Sequence, residues 1–216
     1  MDHKNKFQYK HNFPECFFLK KRIKIGLLGG SFNPSHFGHI HISNVAIKRL
    51  NLNEIWWLVS PQNRLKDLNI RSSFEKRVQY ARELTRNFKK IKVLDIENKN
   101  RLFSSIISLK FIKKRTKNAK FIWLMGSDNL MNFQHWLQAD KISKIFPVAV
   151  IERPRYSYKA INSIGAYILG KRLFKAKQSK VNLKTGSWTF IRDVLNNLSS
   201  SKIRNKNTTF INETFN

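Results

Sequence analysis

The chain has 216 residues, of which 41% are hydrophobic and 12% aromatic, with a formal charge of +29. That is enough chain to bury a substantial core as one main domain, and the composition excludes global disorder. Cys16 is the only cysteine, which excludes a disulfide framework and a cysteine-built zinc site within one chain. No apolar run is long enough to cross a bilayer, so a cytoplasmic protein without a membrane partner is expected.

Residues 1–22 form a basic N-terminal extension. Its patch Phe17-Phe18-Leu19 is too short for the core of a signal peptide, and the segment is read as loosely docked. Ile23 to Leu28 (IKIGLL) is a short apolar run and predicts a buried strand. Gly29 to Pro34 breaks regular structure. From His39, the apolar positions Ile40, Val45, Ile47 and Leu50 mark a helix. Glu54 to Val59 (EIWWLV) predicts a second strand, with Trp56 and Trp57 packing in the sheet, and a polar loop follows to Arg71. Ser72 with Glu75 three residues later is a capping-box pattern. It opens a helix to about Thr85, with Phe74, Val78, Ala81 and Leu84 facing inward.

Ile91 to Ile96 is a third strand. Ser104 or Ser105 caps a helix through Ile107, Phe111 and Ile112. Phe121 to Met125 is a fourth strand, stopped by Gly126. Leu130 to Phe146 is helical in one or two pieces, and Pro147 to Ile151 is a fifth strand. The pattern from Tyr156 to Thr185 assigns no element. Trp188 to Ile191 is a last strand, and Leu198 to Arg204 reads as a loop capping a short helix. The Asn/Thr-rich residues 205–216 are expected to be a mobile tail, leaving residues 23–204 as the domain. Strands alternating with helices of this length predict an α/β fold: a Rossmann-like, doubly wound parallel sheet with a small C-terminal helical part.

The stretch GGSFNPSHFGHIH (Gly29 to His41) lies between the first strand and the first helix. Open parallel sheets gather ligands at the carboxyl ends of their strands. Glycines there let the backbone approach a phosphate, and a helix N-terminus supplies unpaired N–H donors. His36 and His39, three positions apart, fall on one side of a first helical turn. Two imidazoles so placed donate hydrogen bonds to a phosphoryl group as charge builds on it. A P-loop ending in Gly-Lys-Ser/Thr and the third glycine of a dinucleotide fingerprint are both missing. The string therefore points to phosphoryl chemistry of another kind.

GGSFNPSHFGH resembles the signature of the HxGH nucleotidyltransferase superfamily, in sequence and in position. The resemblance implies a Rossmann-like domain and in-line attack on the α-phosphate of a nucleoside triphosphate. Pyrophosphate leaves with Mg²⁺ assisting; the ion is bound with ATP and not by a dedicated protein metal site. Four further segments are similar to the nicotinate-nucleotide adenylyltransferase branch, so the match runs from about Ile23 to Arg204. They are Trp56 to Asn63 followed by Lys66, Trp123 to Leu130, Phe133 to Trp136, and Ser199 to Arg204.

The resemblance implies roles residue by residue. His36 and His39 are the catalytic pair. Gly29, Gly30, Ser31, Phe32, Lys66, Asp128, Ser200, Ser201 and Arg204 are implied for ATP. Ser104, Ser105 and Trp136 are implied for the mononucleotide, with Trp136 beside the pyridine ring. For Asp128 a plain helix N-cap is the competing structural reading. The family's Tyr-Thr-x-x-Thr-Leu segment is poorly kept at Ser104 to Leu109, Ser201 stands for a Thr, and Arg155 replaces a Gly.

The implied reaction joins nicotinate mononucleotide to the AMP part of ATP in NAD synthesis. Nicotinamide mononucleotide and pantetheine phosphate are the rival acceptors. A nucleic-acid-binding protein on this scaffold is the rival from another class, because the high charge attracts polyanions nonspecifically. The positive residues are scattered through every segment and do not form one stripe, so the field is read as general, favouring anionic small substrates. Homo-oligomerisation is left open by the sequence.

Overall fold

The computed structural model describes residues 23–61, 72–116, 118–153, 157–174 and 183–192. The expected N-terminal extension, the expected tail, and the predicted capped helix near Leu198 lie outside these residues, as do Lys66, Ser200, Ser201 and Arg204.

The strands are β1 (Ile23–Gly30), β2 (Glu54–Val59), β3 (Ile91–Leu94), β4 (Ala119–Gly126), β5 (Val148–Ile151), β6 (Lys171–Arg172) and β7 (Ser187–Ile191). The helices are α1 (Phe37–Leu50), α2 (Phe74–Thr85), α3 (Ile96–Lys99), α4 (Ser105–Arg115), α5 (Ser127–Met131), α6 (Ala139–Ile145), α7 (Ser157–Ile161) and α8 (Ile164–Ile168), with a 3₁₀ turn at Phe133–His135. The strands form one sheet in the order β3-β2-β1-β4-β5-β7-β6, and every pairing is parallel. It is an α/β doubly wound sheet. From β1 the chain winds outward through β2 to β3, then returns across β1 to lay down β4. The switch in direction falls between β1 and β4, and their carboxyl ends flank the crevice that such a switch leaves open.

Alternation along the strands sends side chains to two cores. On one face Leu28, Trp57, Val59 and Leu124 meet α1 and α2 through Ile40, Ile42, Val45, Val78 and Ala81. On the other, Ile25, Leu27, Trp56, Trp123 and Val150 meet α4, α5, α6, α7 and α8 through Leu109, Leu130, Ile142, Ala160 and Ala166. The central strands are near-continuous apolar runs because both faces are covered.

Several local expectations are corrected. The cap of α2 is Ser73, whose hydroxyl accepts from the Lys76 N–H, rather than Ser72. The third strand ends at Leu94, two residues early, because the chain turns into α3. The segment from Leu130 to Phe146 breaks into α5, the 3₁₀ turn and α6, with Gln138 in the left-handed region (φ 51°). The unassigned stretch after Tyr156 holds α7, α8 and the edge strand β6, whose apolar contacts are long-range and leave no periodic trace.

Candidate active site

The turn after β1 is built by packing. Phe32 is fully buried although its φ of 46° is left-handed, a conformation that costs a side-chain-bearing residue on the order of 1 kcal/mol. Its ring stacks on Trp57 at 4.8 Å and lies 4.8 Å from His39, while His39 meets the edge of Trp57 at 5.8 Å. Trp57 is itself fixed, its indole N–H donating to Ser43 Oγ at 2.9 Å, and that hydroxyl donates to the His39 carbonyl at 2.9 Å. Both Trp56 and Trp57 are packing residues, but the contact surface of Trp57 is the histidine turn. Gly29 is required for a different reason: a Cβ there would run into the ring of Trp123. Gly30 has ordinary room, and its carbonyl accepts from the Ser60 N–H at 2.9 Å.

His36 is the N-cap of α1 and His39 is its third residue. His36 Nδ1 accepts from the Gly38 N–H at 3.1 Å, and His39 Nδ1 accepts from the His36 N–H at 3.2 Å. This is a capping box made of two imidazoles, with ring centroids 3.9 Å apart. A nitrogen that accepts from an amide carries no proton, so the neutral ring must carry its proton on Nε2. Capping thus fixes the tautomer and presents two Nε2–H donors. His36 Nε2 is buried and has no hydrogen-bond partner among the described residues, leaving it ready for a ligand. Burial first, and then the nearby Arg153 guanidinium, lowers the His36 pKa from 6.5 to about 4. His36 is therefore a neutral donor at physiological pH.

At the end of β4, Asp128 occupies the second position of α5. The N-cap is Gly126, so the N-cap reading of Asp128 does not hold. Its Oδ1 lies 3.4 Å from Arg153 Nε, across the ends of β4 and β5, and the Arg153 N–H donates to Ser127 Oγ at 2.9 Å. On the face opposite the histidine turn, Ser104 is the N-cap residue of α4 without a side-chain cap bond, and its buried hydroxyl has no partner among the described residues. Ser105 opens that helix. Trp136 is half-buried at the end of the 3₁₀ turn, 6.3 Å from Trp123 edge-on and 5.4 Å from Phe133. The structure thus groups Gly29 to Phe32 with His36 and His39, and sets Asp128 on the neighbouring strand end. Trp136 joins them through Trp123 and Gly29.

Two buried charged residues that the sequence reading missed hold these parts in register. Arg77 of α2 donates to the carbonyls of Ser31 (2.6 Å), Ser60 (2.7 Å), Pro61 (2.9 Å) and Ser72 (3.3 Å). One guanidinium thereby fastens the first turn, the end of β2 and the start of α2. Glu97 of α3 accepts from Ser108 Oγ at 2.6 Å and is hydrogen-bonded to the Ser60 side chain. Ser108 also reaches the Ser104 carbonyl at 3.1 Å, so the chain of contacts runs from β2 to the start of α4. Burial pushes the Glu97 pKa up from 4.5 to about 7, against the two hydroxyl hydrogen bonds, which lower it. The available signals were a charged residue on the inward stripe of α2 and an acid in a chain with 13 acidic against 42 basic residues. Neither signal is specific before the partners are seen. Arg153 stood beside a proline at a strand end, and only the sheet order brings it towards His36.

The switch-point crevice thus carries imidazole donors locked on one flank. The cytidylyltransferase-like family model matches residues 27–206. The chain belongs to this family, in its nicotinate-nucleotide adenylyltransferase group. A relative from Methylorubrum extorquens (strain PA1) is 36% identical over 186 residues, covering 85% of this chain and all of its own length. One from Mesorhizobium japonicum is 34% identical over 187 residues, covering 86% of this chain and 95% of its own. Both carry the name "Probable nicotinate-nucleotide adenylyltransferase". The fold is similar to that of the Plasmodium falciparum nicotinic acid mononucleotide adenylyltransferase complexed with NaAD. The TM-score is 0.64 at 22% identity, over 85% of this chain and 83% of that one. No helix among the described residues is long and apolar enough to cross a membrane.

Proposed function

We propose that this chain transfers the adenylyl group of ATP to nicotinate mononucleotide, giving nicotinate adenine dinucleotide and pyrophosphate, as a cytoplasmic step of NAD synthesis. The observation that carries the reading is the pair of imidazoles whose Nδ1 atoms are occupied by backbone N–H groups at the mouth of the β1–α1 turn. A phosphate oxygen of the mononucleotide attacks the α-phosphorus of ATP in line. The bond from that phosphorus to the oxygen bridging to the β-phosphate breaks, and pyrophosphate leaves with that oxygen. Mg²⁺ enters and leaves as part of the substrate, on the phosphates.

The Nε2–H groups of His36 and His39 meet the charge that grows on the transferring phosphoryl group. Because His36 stays neutral, it donates without a proton having to be lost or gained during the step. Fixed donors of this kind act without reorganisation cost at the moment of reaction. Gly29, Gly30, Ser31 and Phe32 shape the turn that receives ATP, and Asp128 and Arg153 set the charge beside it. Ser200, Ser201, Arg204 and Lys66 are assigned to the ATP phosphates. Ser104, Ser105 and Trp136 are assigned to the mononucleotide, the indole of Trp136 lying flat against the pyridine. The overall charge of +29 adds a salt-sensitive attraction for anionic substrates and, nonspecifically, for polyanions.

The test is a parallel assay of nicotinate mononucleotide, nicotinamide mononucleotide and pantetheine phosphate with Mg-ATP, following pyrophosphate release. The highest kcat/KM is expected with nicotinate mononucleotide. No release with any of the three refutes adenylyl transfer, and a preference for another acceptor refutes the substrate assignment.

A further inference from the structure

Trp123 is 1% exposed, and its indole N–H is buried without a hydrogen-bond partner among the described residues. The other fully buried indoles are all satisfied inside the chain. Trp56 Nε1 donates to Glu54 Oε2 at 3.1 Å, Trp57 Nε1 to Ser43 Oγ at 2.9 Å, and Trp188 Nε1 to the Gly170 carbonyl at 3.0 Å. A buried donor left unpaired costs roughly 1–3 kcal/mol, so such an exception calls for a partner that arrives from outside.

The position of the ring says which partner. Trp123 is register-paired with Leu27, two residues before Gly29, yet its six-membered ring lies over Gly29. The indole therefore leans toward the carboxyl edge of the sheet, where β1 and β4 flank the switch point. It is on the face opposite the Phe32–Trp57–His39 cluster, and its edge meets Trp136 at 6.3 Å. Ser104 Oγ is another buried polar atom without a partner among the described residues, at the start of a helix on that same face. An edge-on aromatic pair and two unpaired donors on one face of the sheet are what a flat ring carrying a hydrogen-bond acceptor would meet.

We infer that the indole N–H of Trp123 donates to an oxygen of the pyridine carboxylate of the acceptor mononucleotide, making Trp123 a specificity-determining residue. This rests on the proposed function, with the acceptor on the Trp136 side of the crevice. The contact requires the absence of a Cβ at Gly29, so the glycine that shapes the phosphate turn on one face also admits the indole on the other.

The experiment compares the wild type with Trp123→Phe, which keeps an aromatic ring in the core and removes the N–H donor together with the outer ring carbons that lie over Gly29. The variant is expected to raise KM for nicotinate mononucleotide about tenfold or more, the worth of a hydrogen bond to a charged group. KM for ATP should stay within about twofold, and the variant should still unfold cooperatively. An unchanged mononucleotide KM would mean that the N–H meets only water or a void, and overturns the inference. A second readout needs no variant. In the wild-type chain the Trp123 indole N–H resonance, assigned through its contacts with Gly29, should move downfield on adding nicotinate mononucleotide without ATP. A resonance that stays put also overturns it. If the wild type releases no pyrophosphate with any acceptor, the proposed function itself fails. If it does and Trp123 is silent in either readout, this inference alone fails.

Discussion

Glu97→Gln isolates the energetic consequence of burying a carboxyl between Ser60 and Ser108. The folded state holds the Glu97 proton up to about pH 7, whereas an exposed glutamate releases it near 4.5. Between those values the native chain binds more protons than the unfolded chain, so stability falls as pH rises through this window and is fully present only below it. The difference is worth about 3 kcal/mol at about 1.4 kcal/mol for each tenfold change in the equilibrium. His36 works in the opposite direction. Its folded value of about 4 lies below the ordinary 6.5, so the unfolded chain binds the extra proton, and stability falls as pH drops from 6.5 towards 4. In the wild type the two slopes oppose each other over most of their range. Glutamine keeps the shape and a hydrogen bond to Ser108 but removes the titration. Denaturant unfolding of both proteins from about pH 4 to about pH 8 should show the variant gaining on the wild type by about 3 kcal/mol. For a chain of this size that is roughly 6–12 °C in Tm. The variant should also uncover the His36 slope, losing stability on acidification more steeply than the wild type. A variant-minus-wild-type difference that stays flat across the range would refute the buried, hydrogen-bonded placement of this carboxyl.

The two histidines should separate structure from chemistry. His39→Ala is expected to lower kcat at least about a hundredfold, as removal of a fixed donor does, with cooperative unfolding retained; full activity would remove the mechanism. His36→Ala should lose turnover similarly and also lose about 1 kcal/mol of stability, because the Gly38 N–H loses its cap. Arg77→Met leaves four carbonyl groups without their donor and should cost about 3 kcal/mol of stability in thermal or denaturant unfolding. Arg77→Lys should recover only part of this, since an ammonium lacks the planar fork, and should raise KM for ATP more than KM for the mononucleotide. Stability unchanged within about 0.5 kcal/mol in both variants would show that Arg77 does not hold the turn.

The order of the strands other than β6, and of the long helices, was legible because those strands are mostly apolar and each long helix carries a repeating apolar face, properties local to a few residues. GGSFNPSHFGH was legible for the same reason: a glycine turn and two histidines three apart are neighbours in sequence before they are neighbours in space. Their spacing alone put His36 and His39 on one helical turn, and the fold keeps the rings 3.9 Å apart. What the sequence could not decide were contacts made across the sheet. Arg77 reads as one more surface cation until the carbonyls of Ser31, Ser60, Pro61 and Ser72 converge on it from three segments. Glu97 reads as a solvated acid until α3 turns it under Ser60 and Ser108. Trp123 reads as sheet packing, and only its lean over Gly29 and its unmatched N–H set it apart from Trp56, Trp57 and Trp188. Periodicity records which side of an element faces the core, whereas hydrogen-bond partners tens of residues away are chosen by the order in which strands pair, and that order exists only in the folded chain.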